Sequence, residues 1–189
     1  MDPATAQAVG IAGARAIEQI ERGYGGALTM GFQMAQGQYF LTMDADLSHN
    51  PEFVRDLWSQ RGDADVLIAS RYVKGGRAIM PWSRYVLSRT LNAFFSRGLN
   101  LGVRDMSSGF RLYRASVIRN LRLEARDFDV LQEILVRAHL EGHRVKEIAF
   151  TYTPRRYGSS NARIFSFGLA YGRTFWRLWK LRLSQKSVT

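Results

Sequence analysis

The chain contains no cysteine, which excludes a disulfide framework and any thiolate-ligated metal centre and fits a reducing, cytosolic setting. It has no uninterrupted apolar run of about 18 or more residues, so no segment reads as a bilayer span. The N-terminus lacks a basic start followed by an apolar stretch, so no secretory signal is read either. Lysine is scarce, with 4 against 23 arginines, and no acidic residue follows Glu147. Internal repeats and low-complexity linkers are absent too. What remains is 189 residues with enough apolar content for one ordinary domain and a formal net charge of +11. That charge points to an anionic partner, and arginine pairs with phosphate through a planar two-pronged fork. A GC-rich coding bias is an equal explanation of the arginine excess. Distribution says more: Arg155, Arg156, Arg163, Arg173, Arg177, Lys180, Arg182 and Lys186 make the tail a positive surface.

The most informative stretch runs from Tyr39 to Pro51, where an apolar run ends in Asp44 and Asp46. Side chains two apart on a strand share a face, so both carboxylates can reach one cation. The run is too short for a helix and is bounded by Gly37 and by Asn50-Pro51, a good helix N-cap and first position. It reads as a buried strand feeding a turn and a helix. Open α/β sheets bind ligands at the carboxyl ends of their strands, and two oxygen donors with room for water and phosphate suit Mg²⁺ or Mn²⁺ better than zinc. An isolated Asp-x-Asp also occurs as a plain capping feature.

Periodicity and turn signals predict helices near Ala4 to Ala12, Gly26 to Ala35, Pro51 to Gln60, Trp82 to Leu99 and Val130 to Glu141. Strands are predicted at Arg15 to Ile20, at the run ending in the acid pair, at Asp65 to Ala69, Gly109 to Tyr113 and Val145 to Tyr152. Alternation of this kind predicts an α/β sheet with helices on both faces. The Gly23, Gly25 and Gly26 cluster is no Walker loop, since no Gly-Lys-Ser/Thr follows; it permits a tight turn and close helix packing. His49, His139 and His143 show no ligand spacing and read as structural.

Blocks in a fixed order carry a resemblance. They are Arg22-Gly23-Tyr24-Gly25-Gly26-Ala27 with Ala35-Gln36-Gly37; Met43 through His49; Ser70-Arg71-Tyr72-Val73-Lys74-Gly75-Gly76; and Asp105 through Arg114. A weaker fifth runs from Gln132-Glu133 to Arg156-Tyr157-Gly158-Ser159-Ser160. From about Gln19 to Asn161 the chain resembles the polyprenol-phosphate (dolichol-phosphate) mannose synthases, among the inverting family 2 glycosyltransferases. The resemblance implies a GT-A, Rossmann-like sheet over residues 1–161, followed at 162–189 by a basic amphipathic helix and tail. Relatives open with two further strands that bind the base and ribose of a sugar nucleotide; neither is matched here, and an N-terminal truncation is expected.

The resemblance also implies roles. Asp44, Asp46, Arg71 and Arg84 would be catalytic. Asp44 and Asp46 would hold the Mg²⁺ or Mn²⁺, with Ser48 as a further ligand; Asp44 has the alternative of contacting the ribose. Arg71, Arg84, Arg156, Ser159 and Ser160 would grip the acceptor phosphate, with Asn161 standing where relatives carry Lys. Asp105, Ser108, Gly109 and Glu133 would line the donor sugar, Glu133 with a plain helix surface or an ion pair as equal alternatives. A phosphate monoester has its second pKa near about 6 and is largely dianionic at neutral pH, so such an acceptor needs no general base.

In the tail, Arg173, Arg177 and Lys180 form one helical stripe beside Phe165, Trp176, Trp179 and Leu183. That suits a helix lying among lipid headgroups, or an ordinary helix packed on the sheet. The expected function is hexosyl transfer, from GDP-mannose, to a polyprenyl or dolichyl phosphate at the cytoplasmic face of a membrane, with a membrane-anchoring subunit as a further partner. The alternatives are another donor such as UDP-glucose, or an inactive fragment that binds membranes or phosphate ligands. Charge alone would also allow a nucleic-acid binder, but no fold motif supports it.

Overall fold

The computed structural model describes residues 3–20, 22–154 and 167–186. The expectations for Arg156, Ser159, Ser160, Asn161 and Phe165 lie outside these. The elements in order are α1 (Pro3–Ile11), α2 (Tyr24–Met34), β1 (Tyr39–Thr42), a 3-10 turn (Pro51–Phe53) leading into α3 (Val54–Ser59), β2 (Val66–Ser70), β3 (Arg77–Ala78), α4 (Trp82–Leu99), β4 (Arg111–Arg114), α5 (Ala115–Arg119), α6 (Val130–Leu140), β5 (Val145–Ala149), β6 (Thr151–Tyr152) and α7 (Phe167–Lys186).

The main sheet has the order β1-β4-β2-β5, and β3 pairs with β6 in a small second sheet. β4 is antiparallel to both β1 and β2, while β2 and β5 are parallel. β1, β2 and β5 therefore point the same way, and β4 alone runs back. One end of the sheet thus collects the loops that follow β1 and β2 together with the loop that precedes β4, which places three of the motif blocks side by side.

Side chains alternate between two cores, as period-2 strands require. Val66, Ile68 and Tyr113 face a large core with Phe32 of α2, Phe95 and Leu99 of α4, the apolar face of α6, and Leu178 of α7. Leu67, Ala69 and Leu112 face a smaller one with Leu57 of α3, Phe110 and Phe150. Helices cover both faces, as expected. Asn50 caps the turn at Pro51 through its side chain, which accepts from the Glu52 N–H at 3.0 Å.

Two expectations are corrected. Residues 14–19 form no strand, and Ile20 is 88% exposed; a strand needs another strand to pair its backbone groups, and no described strand pairs with this segment. The predicted Val145 to Tyr152 strand divides at Phe150, because β5 joins the main sheet and β6 the small one.

α7 is also more integrated than its sequence suggests. Leu178 is buried in the large core, Phe175 packs on Phe94 and Phe95, and Arg177 donates to Asp129 at 3.1 Å. The basic stripe is therefore partly tied down, while Arg173, Lys180, Trp176 and Leu183 remain exposed. No described helix is long and apolar enough to cross a membrane.

Candidate active site

Asp44 and Asp46 lie just past β1, in a bent loop rather than on the strand. What holds them near each other is thus loop geometry, which corrects the strand-face argument. Leu47 has a φ of 62°, a left-handed conformation that a branched side chain adopts only when its surroundings enforce it. His49 supplies part of that enforcement. Its ring is buried, stacked on Phe110 at 4.9 Å, and its Nδ1 accepts the Asp44 backbone N–H at 2.8 Å. Nδ1 must be unprotonated to accept, and burial pushes the His49 pKa down against the pull of the Asp44 and Asp46 carboxylates. His49 is thus a neutral strut that fixes the acid loop to the sheet.

Ser48 is buried as well. Its backbone N–H and its hydroxyl both donate to Asp46 Oδ1, the former at 3.0 Å. Ser48, the expected further ligand, commits its hydroxyl proton to orienting Asp46. The Asp44 side chain is 46% exposed. No group of three or more His, Cys, Asp or Glu suited to a metal occurs among the described residues. The donor set is therefore two carboxylates, which fits a hard cation that takes its remaining ligands from water and phosphate.

Arg71 follows the end of β2 and Asp105 opens the loop before β4; the two form one unit. Asp105 is 0% exposed and the Arg71 side chain 14%. Asp105 Oδ2 accepts from the Arg71 backbone N–H at 3.0 Å and from Nε at 2.8 Å, and Oδ1 accepts from Nη2 at 2.7 Å. Burial alone would raise the Asp105 pKa, but the guanidinium outweighs it and holds the carboxyl below its ordinary range. Burial likewise works to lower that of Arg71, and Asp105 reverses it. Asp105 has no oxygen left for a sugar hydroxyl, so that expected role is corrected. Arg71 is not an open two-pronged clamp: only Nη1 lacks a hydrogen-bond partner among the described residues.

The remaining expected residues separate. Ser108 is buried and donates to the Ala69 carbonyl at 2.8 Å, locking the loop onto β2 instead of facing a sugar. Gly109 does reach the acid loop: its carbonyl accepts from Thr42 Oγ1 at 2.7 Å, and a Cβ built on it would lie 2.6 Å from the Tyr24 hydroxyl and 3.8 Å from Asp44 Oδ1. Glu133 is buried on α6, accepting from the backbone N–H groups of Glu124 and Ala125 and from Arg137 Nε at 2.8 Å. It takes the ion-pair role and no sugar role. The loop it shapes meets the glycine cluster, where Gly25 N–H donates to the Arg126 carbonyl at 2.7 Å. Arg84 stands exposed in the first turn of α4.

His49, which reads as structural from the sequence, is structural here: it acts on the acid loop through the Asp44 backbone N–H. Two residues were missed from sequence. Asn92 acts through backbone N–H groups, which no spacing pattern reports. Tyr24 lies inside a motif block, and no spacing pattern gives it a role; the fold brings its hydroxyl beside Gly109, and burial, then the Asp44 carboxylate, raises its pKa. Tyr24 and Asp44 also line a cleft of about 460 Å³ running between α2 and β1, whose outer side is unpaired among the described residues.

Comparison with known proteins bears on the family and the fold. The chain is 38% identical over 148 residues to the polyprenol monophosphomannose synthase of Mycolicibacterium smegmatis, covering 73% of this chain and 55% of that protein. It is 33% identical over 148 residues to the dolichol-phosphate mannosyltransferase of Pyrococcus furiosus, covering 76% of this chain and 41% of that protein. The chain thus spans about half the length of these relatives. A crystal structure of Mycobacterium tuberculosis glucosyl-3-phosphoglycerate synthase with Mn²⁺, UDP-glucose and phosphoglyceric acid superposes with a TM-score of 0.66 at 16% identity, over 92% of this chain and 62% of that one. That likeness establishes the GT-A-like fold. The pattern of glycosyl transferase family 2 matches residues 4–122, and the chain belongs to that family.

Proposed function

We propose that the chain is the catalytic part of an inverting, metal-dependent enzyme that transfers mannose from GDP-mannose to a polyprenyl or dolichyl phosphate at the cytoplasmic face of a membrane. The observation that carries this reading is the meeting of the acid loop, Arg71 and the 105–110 loop at one end of the sheet, in a chain similar to a polyprenol monophosphomannose synthase and a dolichol-phosphate mannosyltransferase.

Asp44 and Asp46 would hold Mg²⁺ or Mn²⁺, which supplies positive charge for the diphosphate of the nucleotide sugar. His49 and Ser48 keep those carboxylates in place. Arg71 offers one arm to a phosphate oxygen, and its pairing with Asp105 fixes where that arm stands. Arg84, exposed in the first turn of α4, and the exposed cations of α7 would add positive charge against the repulsion between two anionic substrates. The acceptor phosphate is its own nucleophile and needs no base. The exposed Trp176, Leu183, Arg173 and Lys180 of α7, beside the exposed Phe94 of α4, favour a membrane surface as the resting place.

The test is transfer of labelled mannose from GDP-mannose to a polyprenyl phosphate in detergent, with Mg²⁺ or Mn²⁺ and with EDTA. Cation-dependent transfer supports the proposal. Transfer from UDP-glucose instead moves it to another donor, and failure to bind either nucleotide sugar with cation present refutes it.

A further inference from the structure

A buried polar chain joins the middle of α4 to Arg71. Asn92 is 4% exposed, on the helix face that also buries Phe95 and Leu99. An amide in that setting must meet its hydrogen-bonding needs internally. Oδ1 accepts the backbone N–H groups of Met106 at 2.7 Å and Ser107 at 3.1 Å; Nδ2 donates to the Ser88 carbonyl at 2.8 Å and to Ser107 Oγ at 3.0 Å.

The proton count is decisive. Because two backbone donors face Oδ1, the amide can stand only one way round, and Ser107 Oγ must accept from Nδ2. Ser107 Oγ also accepts from Arg71 Nη2 at 2.8 Å. Both lone pairs of the hydroxyl are then occupied, so its single proton goes to the neighbouring Asp105 Oδ1 at 3.3 Å. The orientation of Asn92 thus dictates that of Ser107, and Ser107 holds the same guanidinium nitrogen that Asp105 holds. A second support enters from the other side: Glu147 accepts the backbone N–H groups of Arg104 and Asp105 and the Ser70 hydroxyl, pinning the loop to β2 and β5.

We infer that Asn92 is a positioning residue for Arg71: through Ser107 it fixes the guanidinium plane, which also lies over the Tyr72 and Tyr152 rings, and with it the direction of the one arm, Nη1, that has no hydrogen-bond partner among the described residues. The inference rests on Arg71 being the phosphate-facing arginine of the proposed function, but its test does not depend on transfer.

The Arg71 Nε–H resonance, assigned by its loss in Arg71→Lys, is followed by ¹⁵N NMR on the full chain together with a melting curve for each variant. In Asn92→Ala and in Ser107→Ala the resonance is expected to shift and its exchange with water to quicken about ten-fold, as loss of a bond to a charged group allows. Ser107→Thr, which keeps the hydroxyl, is expected to preserve both. If either alanine variant folds and leaves the Arg71 signal unchanged, Asp105 and Glu147 hold Arg71 without α4 and the inference is overturned. If Asn92→Ala does not fold, Ser107→Ala against Ser107→Thr decides alone. Inactivity with every donor would refute the proposed function and leave this readout intact.

Discussion

Replacing Asp105 by Asn keeps the size of the side chain and removes its charge, which isolates the electrostatic part of the Arg71 pair. The carboxylate accepts three hydrogen bonds from Arg71 and is fully buried, while the Arg71 side chain is 14% exposed. Breaking a buried pair from one side costs about 3–5 kcal/mol, because the partner charge is left uncompensated. The slight exposure of Arg71 lets water relieve part of this, so the lower end, about 3 kcal/mol, is expected. For a chain of this size about 1 kcal/mol moves the melting temperature by roughly 2–4 °C, giving a fall of about 6–12 °C. Urea unfolding of wild type, Asp105→Asn, Arg71→Met and the double variant supplies the measurement. The double variant should be more stable than the two single losses predict, since no buried charge remains. pH adds a sign. The folded Asp105 pKa is depressed below its ordinary 3.8, so its contribution is complete above that value and is lost as pH falls through the folded one. The gap between wild type and Asp105→Asn should therefore be widest near neutrality and close in strong acid. A loss at pH 7 under about 1 kcal/mol, the worth of an exposed pair, would refute the reasoning.

His49 has a folded pKa below its ordinary 6.5, so stability should be full above that value and fall as pH drops through the folded one; His49→Asn, which keeps an acceptor for the Asp44 N–H, should flatten that slope in urea midpoints at pH 5 and 7, and an unchanged slope would count against a buried neutral ring. A Cβ on Gly25 would lie 2.3 Å from the Ala125 carbonyl oxygen, whereas one on Gly31 meets nothing within 4 Å. Gly25→Ala should thus lose about 1–3 kcal/mol by overpacking and Gly31→Ala gain up to about 1 kcal/mol from helix propensity, with melting curves deciding. Asp46→Ala should abolish Mn²⁺-dependent binding of a nucleotide sugar in calorimetry while still melting cooperatively, at a lower temperature because the buried Ser48 donors lose their acceptor; cation-promoted binding that survives would remove Asp46 from the metal site. Trp176→Ala should weaken sedimentation with anionic vesicles, and rising salt should weaken it further; indifference to both would place α7 away from lipid.

The elements were legible where local pattern is strong. The α4 limits from Trp82 to Leu99 agree with the structure, because its apolar spacing runs unbroken from Pro81 to a left-handed Asn100. β2 was legible as a continuous apolar run between an acidic turn and Arg71. The strand at Arg15 to Ile20 was not, since strand pattern reports a half-buried surface and cannot report whether a neighbour exists to pair with it. The same limit applies to the site. Asp105 reads as a ligand because it is polar and sits in a motif loop, but its partner Arg71 lies 34 residues away. Asn92 left one usable trace: an amide at a position whose helical neighbours three and seven residues on, Phe95 and Leu99, are apolar and buried. A polar residue on an apolar face is a statement that something across from it needs hydrogen bonds.

The strand order explains why these pieces meet, and what Arg71 can supply. With β4 alone reversed, its leading loop falls at the carboxyl ends of β1 and β2, so the Asp105 block joins Asp44 by topology and not by sequence proximity. That same proximity couples Arg71 to Asp105, and a paired guanidinium presents a far smaller net field than an isolated one. Arg71 therefore contributes direction more than charge. Under the proposed function, neutralising two phosphate-bearing substrates would then fall to a cation at the acid loop and to other cationic side chains such as Arg84. It follows that Arg71→Lys, which keeps the charge but cannot reproduce the planar pairing with Asp105, should impair the site nearly as much as Arg71→Met. If lysine restored function, charge rather than orientation would be what Arg71 provides.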